Sequence, residues 1–149
     1  MNQRATQPAS AAARWPMTSH AHAALIDEID RLRDDVEAEA GRAIDGDGVI
    51  HLPVAKAARR LEVLSAVLEA VELVDAPDLA VIGRRVTIQE QDGESDTYSL
   101  VFPGDGDPPQ GWISADAPLG AAILGHGGGD TVEVVAPAGR RTVTLVRVE

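Results

Sequence analysis

Cysteine is absent from the 149 residues, so no disulfide framework and no thiolate-ligated metal is available. Aromatic residues are scarce: two Trp, one Tyr and one Phe. The core must therefore be assembled from Val, Leu, Ile and Ala. No apolar run approaches the ~18 residues of a membrane-spanning helix. Residues 1–17 hold no apolar stretch of the kind a secretory signal carries. Positive charge is also in short supply, with 13 Lys and Arg against 24 Asp and Glu and a net charge of −11. Tight independent binding to DNA or RNA, which depends on cations neutralising phosphates, is not expected. A basic protein surface or a metal-bearing channel suits such a chain better as partner. These absences point to a cytoplasmic, membrane-free setting.

What is present divides into three parts. Residues 1–17, MNQRATQPASAAARWPM, have no period and little to bury, and read as a disordered tail. Arg4 and Arg14, without acids, give it some likeness to a transit peptide. Thr18 or Ser19 suits a helix N-cap. From about His20 to Ala40, Leu25, Ile26, Ile29, Leu32 and Val36 recur at helical spacing, with Asp27, Glu28, Asp30, Asp34, Asp35, Glu37 and Glu39 on the other faces. Gly41 to Leu52 breaks the pattern. Pro53 suits a first helical turn, after which Val54, Ala58, Leu61, Leu64 or Ser65, Leu68 and Val71 repeat the stripe to about Val74. Two such helices predict an antiparallel, coiled-coil-like hairpin over residues 18–75 with its tip at 41–52. Each arm, at about 22 residues, spans ~33 Å.

Past a short linker, Asp75 to Asp78, the period switches to two, and residues 76–149 read as a β-rich domain. Val86 and Ile88 share a strand face. Gln89 to Asp96 reads as a polar turn, Thr97 to Phe102 as a second strand with Tyr98 and Phe102 in the core, and Pro103 to Gly111 as a surface loop. Trp112 to Val135, WISADAPLGAAILGHGGGDTVEVV, reads as strand, tight entry, short helix, glycine loop, strand. Asp116 is placed to cap that helix, Pro118 to fill its first turn and Gly125 to end it. Pro137-Ala138-Gly139 turns the chain into a last strand, Arg140 to Val148, with Val143 and Leu145 toward the core. Antiparallel strands with one short helix make an α+β domain.

The same stretch carries a family resemblance. Ile113, Ser114, Pro118, Leu119, Gly120, Ala122, Gly125, Gly129, Asp130, Val132, Val134, Pro137 and Gly139 fall in register with the pattern I-S-x-x-S-P-L-G-x-A-L-x-G-x-x-x-G-D-x-V-x-V-x-x-P-x-G. Ala117 replaces a serine and Ile123 a leucine. The chain thus resembles the C-terminal domain of the bacterial Gre transcript-cleavage factors over about residues 72–149, and the preceding part in outline. The resemblance implies an FKBP-like fold for the β domain and RNA polymerase as partner. Ser114, Asp116, Pro118 and Leu119 would meet the β′ coiled coil at the rim of the polymerase secondary channel, and the hairpin would enter the channel. Lys56, Arg59 and Arg60 would form a basic face near the nascent RNA 3′ end. Asp45 and Asp47, at the tip, would help direct a Mg²⁺ shared with the polymerase active site. The protein would then be an accessory factor with no stably bound metal of its own, any RNA cleavage being done by the polymerase.

Several alternatives stay open. The tip, Asp45-Gly46-Asp47-Gly48, departs from the family's G-D-x-x-E-N-x-E-Y, and reads either as metal-directing acids or as a turn that uses the backbone freedom of Asp and Gly. The protein accordingly either stimulates cleavage or only occupies the channel, like the short-hairpin relatives named as regulators of nucleoside diphosphate kinase. Lys56, Arg59 and Arg60 equally suit salt bridges to Glu37 and Glu39 on the opposing arm. A reading from another class is a non-polymerase interaction module whose hairpin dimerises or binds a different protein. A calcium loop is not expected, because Ala43 and Val54 stand where two oxygen ligands are needed. His20, His22, His51 and His126 form no ligand set, Gly125 to Gly129 is no phosphate loop, and no nucleophile–base pair is visible. With Tyr98, Phe102 and Trp112 as its only aromatics, the β domain is not expected to be a prolyl isomerase.

Overall fold

The computed structural model describes residues 14–44 and 52–149. Two helices form the hairpin: α1, Ser19–Ile44, and α2, Leu52–Glu69. Thr18 starts α1 as expected, its Oγ1 accepting the Ala21 N–H at 3.0 Å. The arms differ in length, 26 residues against 18, or about 39 Å against about 27 Å. Helix α1 runs through Gly41, where the sequence pattern breaks. Gly41 is exposed, and an exposed helical glycine costs only about 1 kcal/mol, too little to end the helix. Ala21, Leu25, Ile29 and Leu32 from α1, with Leu64 and Val67 from α2, are the buried stripe. Ile26, placed in the stripe by spacing, lies 38% exposed beside it.

The base of the hairpin is tied by a small sheet that the sequence reading did not foresee. Strand β1, Trp15–Met17, pairs in parallel with β2, Val71–Leu73. The expected tail therefore ends before Trp15, and the expected second helix ends at Glu69 instead of Val74. Composition averaged over Ala, Ser and Gln hides three residues that have partners. Trp15 N–H donates to Ala70 O at 2.8 Å, Val74 N–H to Met17 O at 2.8 Å, and Ile82 N–H to Pro16 O at 3.0 Å. Met17 is fully buried among Leu25, Leu64 and Ile82, and burying such a side chain stabilises by roughly 1.5–3 kcal/mol. Residues 1–13 of the expected tail lie outside the described residues.

The β domain is a five-stranded sheet covered on one face by a short helix. Its strands are β3, Arg85–Glu90; β4, Ser95–Val101; β5, Trp112–Ser114; β6, Thr131–Ala136; and β7, Gly139–Val148, in the order β5-β4-β3-β7-β6. Alternation decides the inner face: Val86, Ile88, Leu100, Ile113, Val132, Val134, Val143 and Leu145 are buried. Strand β7 slips in register against β3 between Thr87 and Ile88, a bulge of the kind that adds one unpaired residue and bends the strand. The sheet is mixed rather than wholly antiparallel, since β5 runs parallel to β4. The loop from 102 to 111 carries the chain back toward the start of β4 before β5 begins. Helix α3, Pro118–Ile123, sits against β5 and β6 and closes the core with Leu119 and Ile123. The β domain also lends Ile82 and Ala115 to the hairpin's apolar cluster.

Candidate functional site

The expected docking residues lie at the corner where β5 turns into α3. Ala115 N–H donates to Val101 O at 3.0 Å and Ala117 N–H to Ser114 O at 3.0 Å, so the backbone of the corner is held on both sides. The N-cap position falls on Ala117, in extended conformation and with no side-chain capping bond. The expected cap by Asp116 is therefore not made: Asp116 lies one residue too early. Pro118 occupies the first turn, where its missing N–H costs nothing. Gly125, just past the end of α3, takes a left-handed φ of 84°, as a helix-ending glycine does.

Burial separates the four residues. Ser114 and Leu119 are each 8% exposed, whereas Asp116 and Pro118 face solvent. Ser114 Oγ accepts the Gly106 N–H at 2.9 Å and lies 3.5 Å from Phe102 O, binding the 102–107 loop to the corner. Ser114 and Leu119 thus hold the corner from within, and the outward surface is left to Asp116 and Pro118. Among the described residues Asp116 has no hydrogen-bond or ion-pair partner.

Beside this corner runs a groove of about 690 Å³, lined by Tyr98, Trp112, Pro118, Leu119 and Val134 and flanked by Arg140. Trp112 is 46% exposed, so one of the chain's four aromatic side chains faces outward. Tyr98, expected in the core, is half-buried at the groove wall. Its hydroxyl pKa is raised, first by burial and then by the charge of Asp96. Phe102 packs on the hairpin cluster instead, because β4 stops at Val101 and the strand alternation no longer places it. The scarcity of aromatics was the available signal for Tyr98 and Trp112 as surface candidates. Strand alternation alone does not show which wall stays open.

The basic face is divided. Arg60 binds Asp105 in the 102–107 loop through Nη1 at 2.6 Å and Nη2 at 2.7 Å, and its Nε reaches Glu28 of α1 at 3.4 Å. Burial works against the Arg60 charge, but the hydrogen bonds and fields of Asp105 and then Glu28 outweigh it, so its pKa lies above the ordinary arginine value. Lys56 and Arg59 remain exposed beside a niche formed with Val63, Pro103 and Gly104. The alternative bridges to Glu37 and Glu39 are not formed among the described residues, Glu39 pairing with Arg42 on its own helix. The tip acids Asp45 and Asp47, and His51, lie outside the described residues. Among the described residues no group of three or more His, Asp or Glu is placed to hold a metal ion, and no helix is long and apolar enough to cross a membrane.

Known proteins resemble the part of the chain that holds the corner. Residues 75–149, half of the chain, match the family model for the C-terminal domain of transcription elongation factors GreA and GreB. Transcription elongation factor GreA of Limosilactobacillus fermentum is 34% identical over 95 residues, covering 60% of each chain. The GreA of Geobacillus kaustophilus is 40% identical over 74 residues, or 49% of this chain and 47% of its own. The matches thus span about 60% or less of the length of these relatives. Among solved structures, a GreA/GreB factor from Nitrosomonas europaea is 26% identical, with a TM-score of 0.46, over 91% of this chain and 98% of its own. Gfh1 of Thermus thermophilus is 19% identical, with a TM-score of 0.44, over 92% and 99%. By its C-terminal half, this chain belongs to the GreA/GreB family of transcription elongation factors.

Proposed function

We propose that the protein is an accessory regulator that binds RNA polymerase and modulates elongation. The β domain docks at the rim of the secondary channel, on the β′ coiled coil, and the hairpin projects into the channel. The observation that carries this reading is the β5–α3 corner. It is a backbone-locked platform that presents Asp116 to solvent and Pro118 at an apolar groove with an exposed Trp112. An exposed aromatic and, on the same corner, a carboxylate with no partner among the described residues fit a basic, partly apolar helical partner. The net charge of −11 suits a positively charged channel wall.

In the sequence, Asp45 follows directly on Ile44, the last residue of α1, and Asp47 comes two residues later. Carboxylates there are suited to the polymerase's own Mg²⁺. With them in reach, the protein stimulates cleavage of backtracked RNA by the polymerase; without reach, it occupies the channel. The exposed Lys56 and Arg59 are the cations available to the RNA 3′ end.

Binding to the cognate polymerase and cleavage in stalled, backtracked complexes would be measured for wild type, a Trp112→Ala/Asp116→Ala variant and an Asp45→Ala/Asp47→Ala variant. The corner variant is expected to bind at least ~10-fold more weakly with its helical content kept, as loss of an aromatic hot spot does. The tip variant is expected to bind normally. Cleavage that only the tip variant loses makes this a cleavage factor, and binding without cleavage makes it a channel occupant. No binding by wild type rejects the polymerase reading in favour of a hairpin-mediated interaction module.

A further inference from the structure

We infer that Arg60 is a positioning residue that fixes the angle at which the hairpin leaves the β domain. Its guanidinium sits where three segments meet: its own helix α2, Glu28 on α1, and Asp105 in the loop that follows β4. The three side chains are matched in exposure, at 28%, 27% and 28%, so the pair is partly shielded from water and salt. The forked contact to both Asp105 oxygens fixes direction as well as distance, which a single point charge does not. Among the described residues, Arg60–Asp105 is the ion pair that joins the hairpin to the β domain; the other pairs stay within one part or tie the N-terminal segment to β2.

The anchor on the far side is rigid. Asp105 N–H donates to Phe102 O at 3.0 Å, and the next residue, Gly106, donates its N–H to Ser114 Oγ at 2.9 Å. Phe102 itself packs on the hairpin cluster. A continuous run of bonds therefore leads from Ser114 at the corner, through the loop, to Arg60 and on to both arms. Glu28 is steadied in turn by Arg31 at 2.7 Å. The hairpin base is tied by apolar contacts from Met17, Ile82 and Ala115 and by backbone bonds from Ile82 N–H to Pro16 O at 3.0 Å and from Thr18 N–H to Ile82 O at 3.1 Å; these all meet at one short stretch, and the Arg60 pair adds a second point of attachment through a different loop. The functional consequence, that docking at the corner also aims the tip, rests on the polymerase reading; the clamp itself does not.

The absence of cysteine permits clean spin labelling at Asp34→Cys on α1 and Val146→Cys on the outer face of β7. Distances between the labels would be measured in full-length protein without polymerase. Wild-type contacts are expected to give a single narrow distance. Arg60→Met and Asp105→Asn are expected to lose it to a broad distribution, with helical circular dichroism unchanged. The exchanged pair Arg60→Asp/Asp105→Arg is expected to regain the narrow peak, because Arg at 105 then meets Asp at 60 and Glu28. If Arg60→Met leaves helicity low, Asp105→Asn, which keeps the shape of the loop, decides. A narrow peak that persists in Asp105→Asn, a broad one already present with wild-type contacts, or no recovery in the exchanged pair overturns the inference. Polymerase affinity of Arg60→Met, measured separately, tests the consequence: a clamped wild type that fails to bind polymerase would refute the functional reading and leave the clamp intact.

Discussion

At Gly120, an added Cβ would stand 2.0 Å from the Ser114 carbonyl oxygen and 2.9 Å from its carbon. Both are backbone atoms, so no rotamer relieves the contact. Gly120→Ala is expected to cost about 3 kcal/mol, the upper end of what overpacking does. Gly125 is the opposite case: its Cβ would meet nothing within 4 Å, and only its φ of 84° opposes a side chain, for about 1–2 kcal/mol. Urea unfolding of the two alanine variants should show the larger loss at Gly120, and a reversed order would mean that the corner yields easily. Gly125 is legible in the sequence, because it follows an apolar helix face. The reason for Gly120 is not, because its constraint is a carbonyl on the preceding strand that no periodicity reports. Ser114 has the same character, since its role is settled by Gly106 across a loop.

Helix α1 has no acidic residue in its first turn. The carboxylate that serves it comes from Asp75, which accepts the Ser19 Oγ–H at 2.5 Å and the Ser19 N–H at 2.8 Å. These bonds, the side-chain one first, hold the Asp75 pKa below the ordinary aspartate value. In the unfolded chain Asp75 takes up its proton near pH ~3.9, and in the folded chain only at lower pH. Its contribution is therefore complete above that value and is lost as pH falls through the folded pKa. The stability difference between wild type and Asp75→Asn should be constant near neutrality and shrink below about pH 4. A difference that does not change with pH would count against this linkage. The two hairpin helices and most of the strands are legible in the sequence because their periods are local. The β1–β2 pair, the parallel β4–β5 pairing and the Asp75 bond are not, because each joins residues far apart in the chain. Asp75 opens the short linker, Asp75 to Asp78, and nothing in that run names Ser19 as its partner.

The two apolar clusters are not independent. Ile82 and Ala115 belong to the hairpin cluster although they come from the β domain, and Leu124 touches both clusters. The molecule is accordingly expected to unfold as one unit. Trp15 packs on the hairpin cluster and Trp112 lines the groove of the β domain, so each reports on one part. In Trp112→Phe, where Trp15 is the fluorophore, and in Trp15→Phe, where Trp112 is, the fluorescence transition in urea should coincide with that variant's helical circular dichroism. Separate midpoints would show that the parts melt independently. The threading of residues 15–17 between Ala70 and Ile82 has a further consequence for synthesis. These residues leave the ribosome before either helix exists, yet the backbone groups that hold them arrive only after both helices have been made. The hairpin cannot be completed as a nascent unit, and its closing stitch waits for the opening residues of the β domain.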